Sequence, residues 1–475
     1  MVTVTVTLTC PLCRTPLAAS DPPGVEGERC ERCGVYPRVG GVTVLVPQPD
    51  AALEALRQSV MDAWVAATTA RAKAERAATP QEPDRTAMAR AVAGASANQQ
   101  LLERVTAPAG ASTRAARRRD SLASAFATSL GWSFDSLIPY FIEDWSGVRA
   151  AVRDRFVADV EHHSADRAAA LVVGCGAGAL VRDLSAVFTQ AYGLDASAAG
   201  LLLARRILDG EAVEWHLAAD DWRPVRLQDD APRATNARLV AGDARVLPFA
   251  DGSFTTVVTQ YLLDVIVDPA ATIREVNRVL APGGVWINDG IPCHLEGDPE
   301  LLRSSDGDRW PRHLRAFGFE PLEVGLRSNP HLAESSRSRW STRIVHAVVH
   351  SVARKTRSLD PSPVDRALVA YFLGERAALL AMAPSLAPGC ELSSVHPVVD
   401  SGAAAGGKVS FGDVRYRARD DQTLTLMLEF LRTLLAASSV GAALDRLRDT
   451  VPRFEERDVV LAIESLHRAG HVALT

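Results

Sequence analysis

Three groups of residues in this 475-residue chain have the types and spacing to do chemistry. The first is Cys10-Pro-Leu-Cys13 followed by Cys30-Glu-Arg-Cys33, two Cys-x-x-Cys pairs with sixteen residues between them. Four thiolates at that spacing suit one tetrahedral zinc ion, and with no ligand position left open the ion is expected to be structural. The other cysteines, Cys175, Cys293 and Cys390, are scattered. That usage fits a metal site in a reducing compartment and not a disulfide framework. The second group is Leu171-Val172-Val173-Gly174-Cys175-Gly176-Ala177-Gly178, an apolar run ending in a glycine turn. Glycines there let the backbone approach a ligand closely. Asp195 ends the next apolar run, twenty-one residues after Gly174. A carboxylate at that place can accept from both ribose hydroxyls of a nucleoside. Gly174-x-Gly176-x-x-Ala179 also satisfies the dinucleotide fingerprint, so on this stretch alone an NAD enzyme stays open. The third group is Asp243 and Asp264, acids close behind two later apolar runs.

The downstream text separates these readings. Ala241-Gly242-Asp243-Ala244-Arg245 leads through Asp251-Gly252-Ser253-Phe254 into Val257-Val258-Thr259-Gln260, and Leu280-Ala281-Pro282-Gly283-Gly284 into Val285-Trp286-Ile287. Over about residues 140–355 this combination resembles class I S-adenosylmethionine-dependent methyltransferases. The resemblance implies that Gly174, Gly176 and Gly178 hold the methionine end of the cofactor. It also implies that Asp195 holds the ribose and that Asp243 lies beside the adenine, with Ala244 and Gln260 completing the cofactor set. One departure is Val172, which stands where the family usually has an acid.

A narrower resemblance rests on Phe141-Ile142-Glu143-Asp144-Trp145-Ser146, Tyr261-Leu262-Leu263-Asp264, Trp286-Ile287-Asn288-Asp289-Gly290-Ile291-Pro292-Cys293-His294, Phe317-Gly318-Phe319 and Val352-Ala353-Arg354-Lys355. Together these look like the carnosine N-methyltransferase family, which methylates an imidazole nitrogen. The resemblance implies that Asp264 and, with a one-residue shift, His294 hold the substrate imidazole. The family's aromatic residues on the last strand are replaced, with Trp340, Arg343 and His346 in that neighbourhood. Asp264 also has a case of its own. Ligands of open α/β sheets bind beyond the carboxyl ends of the strands. Methyl transfer needs the acceptor lone pair aimed in line at the methyl carbon. A carboxylate that accepts the imidazole N–H fixes the tautomer and aims the other nitrogen. The plainer reading of Asp264 is a helix cap for the segment starting near Pro269, and of His294 a loop histidine.

The elements that must position these residues alternate in type. Strands are expected at Ala169–Val173, Ala191–Leu194, Arg238–Ala241, Phe254–Gln260 and Gly284–Asp289, with helices at Leu180–Phe188, Leu201–Leu208 and Ala270–Leu280. Strand–helix alternation implies a parallel sheet wound on both sides. Pro321–Gly325 and Arg343–Ala353 read as a terminal hairpin, and residues 211–237 as a charged, Trp-bearing insertion. The expected fold class is therefore α/β, a Rossmann-like seven-stranded methyltransferase core. Residues 1–49 precede it as a zinc ribbon, with strands at Val2–Thr9 and Val42–Val46. With Tyr36-Pro-Arg-Val-Gly-Gly-Val-Thr-Val-Leu45, this ribbon resembles the small zinc-ribbon activator proteins of RNA- and protein-modifying methyltransferases. It is expected to draw its stability from the metal and to melt alone without it. Residues 50–120 read as a helical linker, 121–358 as the methyltransferase domain and 359–475 as a C-terminal helical, winged-helix-like domain. In that last unit a strand pair at Val409–Arg417 precedes helices at Leu424–Leu435, Val440–Leu447 and Glu456–Ala469 and a closing strand His471–Thr475.

Composition bounds the function. Hydrophobic residues make up 47% and charged residues 23%, an ordinary globular balance. The net charge of −5 argues against a zinc-ribbon and winged-helix regulator of nucleic acid, since phosphate binding needs a positive field. No stretch reaches the roughly 18 apolar residues of a membrane span, and the Val/Thr-alternating N-terminus lacks a signal peptide's basic region, so a cytoplasmic protein is expected. The expected reading is an S-adenosylmethionine-dependent N-methyltransferase acting on an imidazole of a peptide or small molecule. The rival enzyme is a small-molecule O- or C-methyltransferase of secondary metabolism. The C-terminal unit is the candidate for recognising a peptide or protein partner.

Overall fold

The structure, a computed structural model, describes residues 6–20, 26–50, 53, 69, 82–113, 134–145, 147, 149–217, 222–228, 233–266, 268–290, 309–331, 344–388, 390–395, 408–411, 414–417, 421–451 and 454–475. The N-terminal unit contributes β1 (Ala18–Ser20), β2 (Gly27–Cys30), β3 (Gly34–Val39) and β4 (Val42–Leu45). Helices α1 (Glu82–Thr113), α2 (Phe134–Trp145) and α3 (Ala150–His163) lead to β5 (Ala169–Val173), α4 (Ala179–Ser185), β6 (Gln190–Asp195) and α5 (Ala198–Leu208). Next come β7 (Val213–Leu217), β8 (Arg223–Leu227), β9 (Ala237–Gly242), β10 (Phe254–Gln260), α6 (Pro269–Val279) and β11 (Leu280–Gly290). Helix α7 (Trp310–Ala316), β12 (Phe319–His331) and β13 (Ile344–Lys355) follow. The C-terminal unit has α8 (Pro363–Leu373), α9 (Ala377–Ala381), β14 (Pro384–Leu386), β15 (Leu392–Val395), β16 (Lys408–Phe411), β17 (Val414–Arg417), α10 (Asp421–Leu435), α11 (Val440–Thr450), α12 (Glu456–Arg468) and β18 (Val472–Leu474).

Among the described residues one sheet runs β1-β2-β3-β4-β9-β6-β5-β10-β11-β13-β12. From β4 to β11 the neighbours are parallel, and β13 and β12 close the far edge antiparallel. Alternate residues feed two cores. Leu171 and Val173 of β5 face one cluster, and Ala170 and Val172 the other, as the two-residue period of a strand requires. Val172, in the place of the usual acid, is simply buried.

The N-terminal unit is not separate from this sheet. Strand β4 pairs in parallel with β9, Thr43 opposite Val240 and Leu45 opposite Gly242. Cys10, Cys13 and Cys30 are buried in the same apolar cluster as Trp286 and the C-terminal Phe430 and Val460. Of the strand expected at Val2–Thr9, residues 1–5 lie outside the described residues, and Leu8 and Thr9 make only single bridges, to Phe249 and Pro16. The β4–β9 pairing joins segments almost two hundred residues apart, so no local pattern announces it. The insertion at 211–237 forms the β7–β8 hairpin, on which α1 packs: Asn98 donates to the His216 carbonyl and accepts from the His216 amide, both at 2.8 Å. In the C-terminal unit β18 pairs with β14, and β15, β16 and β17 form a three-stranded sheet. No helix among the described residues is long and apolar enough to cross a membrane.

Lys355 shows why the terminal hairpin carries a basic end. Its buried ammonium donates to the carbonyls of Asn277 and Leu280 at 2.6 and 2.7 Å, capping the C-terminus of α6. Burial lowers its pKa.

Candidate functional site

Strand β5 ends in the loop Gly174–Gly178, which turns into α4. Gly174, Gly176 and Gly178 all have positive φ, at 72°, 49° and 80°. At Gly174 a Cβ would stand 2.7 Å from Cδ1 of Leu262, so the loop is pressed against the segment that follows β10. At Gly176 the positive φ alone demands glycine, and the space beside it is open. The loop is pinned to the next strand by the Gly174 and Cys175 amides, which both donate to the Leu194 carbonyl.

Asp195, at the end of β6, organises the same loop. Its Oδ2 accepts from the Gly176 amide at 2.9 Å and its Oδ1 from the Ser197 amide at 2.8 Å. A carboxylate has about four acceptor sites, so two remain for hydroxyl donors. Burial raises its pKa, against the pull of these amides. Asp243, just past the end of β9, is differently placed. Arg245 engages both its oxygens, through Nε at 2.9 Å on Oδ1 and Nη2 at 2.7 Å on Oδ2, and the Arg245 amide adds 2.8 Å on Oδ1. Burial opposes ionisation there, but the Arg245 guanidinium outweighs it and holds the carboxyl below its ordinary range. The carboxylate is largely committed to Arg245, and Ala244 beside it is buried in the apolar cluster that includes Leu171 and Trp286.

Gln260 ends β10, and Tyr261 follows with φ at +48°, a conformation a tyrosine adopts at a cost of order 1 kcal/mol. That turn sends the chain away from the sheet toward Asp264. The Asp264 charge opposes ionisation of the Tyr140 and Tyr261 hydroxyls; burial is the larger cause of their raised pKa values. The guanidinium of Arg149 lies over the Tyr261 ring, 5.4 Å from its centre, and pairs with the fully buried Glu143 at 3.0 Å. Trp145 donates its indole N–H to the Ala177 carbonyl of the glycine loop at 3.0 Å. The Phe141–Trp145 segment thus roofs the loop, and Tyr140 and Arg149 beside it form one polar, aromatic cup with Tyr261 and Asp264. The cap of α6 is Asp268, which accepts from the Ala271 amide, so the capping role considered for Asp264 falls to another residue.

His294, Cys293, Trp340 and Arg343 lie outside the described residues, as does the side chain of His346. Sequence reasoning missed Tyr140 and Arg149 in this cup, and also Asp289. Asp289, opposite Gln260 at the end of β11, is buried and bonded to His350 and Asn329 at 2.6 and 3.2 Å. The polar Asn288-Asp289 pair inside an otherwise apolar strand was the available signal.

The cysteines converge. Ligand atoms of Cys10, Cys13, Cys30 and Cys33 all lie within 4.8 Å of one another, three of the residues being buried. None of the four is in a disulfide. The contact with Cys13, together with burial, pushes the Cys10 thiol up to about 11. Arg14, in the same knuckle, has φ +60° and reaches out of it, donating to the Leu247 carbonyl at 2.8 Å and pairing with Glu275 at 3.0 Å.

Residues 171–287 match the family model described as a methyltransferase domain. A demethylmenaquinone methyltransferase of Mycobacterium marinum is 30% identical over 139 residues, which are 26% of this chain and 58% of that protein. Its counterpart in Mycolicibacterium vanbaalenii is 48% identical over 54 residues, 11% of this chain and 24% of that protein. The chain thus spans less than two thirds of the length of these curated relatives. Among solved structures, a complex of the Haloferax volcanii Trm112 methyltransferase activator with a methyltransferase is 16% identical, with 46% of this chain and 98% of that chain covered and a TM-score of 0.30. The family match and the sheet order together give a Rossmann-like α/β methyltransferase domain joined to an N-terminal cysteine cluster.

Proposed function

We propose that this protein is an S-adenosylmethionine-dependent N-methyltransferase whose acceptor is an imidazole nitrogen of a peptide or small molecule. The observation that carries the reading is convergence. The Gly174–Gly178 loop, Asp195, Asp243 and Asp264 stand at the carboxyl ends of four neighbouring parallel strands, β5, β6, β9 and β10. The residues fit the cofactor. Gly176 leaves open space, and Asp195 keeps two acceptor sites for ribose hydroxyls after satisfying two amides. When bound, the cofactor supplies an electrophilic methyl group. The chain's own part is binding and aim. Asp264 accepts the imidazole N–H and leaves the other nitrogen's lone pair directed at the methyl carbon. Tyr140 and Tyr261 flank the ring, and Arg149 fixes Tyr261 from behind. This reading also agrees with the resemblance to the carnosine N-methyltransferases.

The cysteine cluster is proposed as a structural zinc site, with residues 1–49 as a ribbon fused to the domain it supports. Residues 359–475 are proposed as a winged-helix-like unit in which the edge of the β15-β16-β17 sheet offers a strand-pairing surface to a peptide. A second reading, C-methylation of a quinone-like ring, is favoured by the names of the curated relatives. Purified protein incubated with S-adenosylmethionine and a panel of histidine-containing peptides, free imidazoles and quinols, followed by mass spectrometry, separates the two. Methyl transfer to an imidazole nitrogen is expected; transfer to carbon alone overturns the proposal.

A further inference from the structure

A second polar cluster lies under α3, on the antiparallel edge of the sheet. His350 of β13 is fully buried. Its Nδ1 lies 2.6 Å from Asp289 Oδ1. An ionised carboxylate can only accept there, so Nδ1 carries a proton, and in the neutral imidazole Nε2 keeps a lone pair. That lone pair faces two more carboxylates, Asp159 of α3 at 3.8 Å and Glu323 of β12 at 3.7 Å. These separations exceed a hydrogen bond, and Nε2 has no hydrogen-bond partner among the described residues. Such a lone pair is repelled by the two anions, and Arg327, which contacts both of them, lies beyond hydrogen-bond reach of Nε2 among the described residues, so a cation at Nε2 itself would relieve the repulsion.

We propose that Asp159, Glu323 and His350 form a binding site for a divalent transition-metal ion, with Asp289 orienting the imidazole from behind. The three ligand atoms lie within 4.8 Å of one another. An ion with tetrahedral bonds of about 2.1 Å separates its ligands by about 3.4 Å, so the 3.8 and 3.7 Å arms from Nε2 need to close by only a few tenths of an ångström, while the two carboxylates start within 4.8 Å of each other. One imidazole and two carboxylates suit Zn2+ or Mn2+. The carboxylate–histidine–metal order of Asp289, His350 and ion is the usual way a ligand histidine is fixed in its tautomer. The charge also balances. Arg327 pairs with both oxygens of Asp159, at 2.7 and 3.0 Å, and its Nη2 also lies 3.4 Å from Glu323 Oε1, so one guanidinium is shared by the two acids and offsets one of the three negative charges. Each Asp159 oxygen has a second lone pair for a metal. His163, one helical turn after Asp159, lies 3.5 Å from the other oxygen of Glu323 and holds that carboxylate toward the cluster. The site is separate from the four cysteines, and it reaches the cup around Tyr261 through Asn329, which bonds to Asp289 and faces the Tyr261 hydroxyl.

The test is calorimetric titration of full-length, zinc-loaded protein with Mn2+ and, separately, with Zn2+. One saturable equivalent beyond the zinc already present is expected. Glu323→Gln, at a half-exposed position that folding tolerates, should weaken it by at least about tenfold. His350→Ala should abolish it; if that variant does not fold, Glu323→Gln decides. The proposal is overturned if neither ion binds the wild type, in which case an imidazolium fills the gap, or if the variants bind as the wild type does.

Discussion

Asp195→Ala is the sharpest probe of the cofactor loop. In the structure the carboxylate accepts the Gly176 and Ser197 amides and keeps two acceptor sites for ribose. Two hydroxyl hydrogen bonds to a charged acceptor, at about 1.5–3 kcal/mol each, sum to about 3–6 kcal/mol. That corresponds to a loss of about 10²- to 10⁴-fold in affinity for S-adenosylmethionine. Calorimetry of cofactor binding reads this directly, with circular dichroism to check that the variant is folded. Asp195→Asn should fall between wild type and Ala, because the amide oxygen still accepts while its NH2 confronts a backbone N–H. The wild type adds an independent readout. Burial raises the Asp195 pKa, so affinity should begin to fall at a pH above the ordinary carboxylate range as acid is added. Unchanged affinity in a folded Asp195→Ala protein would refute the assignment of the loop.

Asp264→Asn should leave cofactor affinity near wild type and cut turnover on the true acceptor by about 10- to 150-fold, the loss of one charge-assisted hydrogen bond, as read by steady-state kinetics. Elemental analysis should find zinc bound by Cys10, Cys13, Cys30 and Cys33; chelation should loosen not only residues 1–49 but also the Asp243–Leu247 segment, seen as faster amide exchange, because β4 pairs with β9 and Arg14 bonds to Leu247. Glu275 carries an acid-stability signature: burial opposes its charge, yet Arg14 and Arg278 hold its pKa at about 2, below the unfolded value of 4.5. Its contribution of about 3 kcal/mol is complete above pH 4.5 and is lost as pH falls toward 2, so Glu275→Gln should be destabilised at neutral pH and converge on wild type in acid unfolding followed by circular dichroism.

Much of the parallel sheet could be read from local text because both of its periods are local. Strand β5 is five apolar residues ending at a glycine, and β10 and α6 fall within a residue or two of their expected ends. The cysteine pairs announce themselves by spacing. What stayed hidden depends on distance along the chain. The pairing of Thr43 with Val240 and the reach of Arg14 to Glu275 join segments about 200 and about 260 residues apart. Tyr140 and Arg149 belong to the cup only because α2 and α3 fold back over the glycine loop. His350 and Asp289 are single polar residues in apolar strands, and only the register of β11 against β13 places them opposite each other.

Those long-range contacts bear on how the C-terminal unit works. It does not hang from the domain on a tether. Gln48 donates to Ser465 at 3.1 Å, Arg32 to the Leu373 carbonyl at 2.8 Å, and the Arg468 guanidinium bonds to Asp365 at 2.6 Å within electrostatic reach of Asp243. Phe430, Val460 and Leu466 belong to the same apolar cluster as Leu171 and Trp286. Removing residues 359–475 would therefore strip one face of the sheet as well as any recognition surface. Loss of activity in such a truncation would report lost folding, so the recognition role has to be tested by substitutions on the outer edge of β17. Helix α12 brings Glu464 and Arg468 within electrostatic reach of Asp243 and Arg245, so substitutions on it should disturb that acid–guanidinium pair as well as the C-terminal unit.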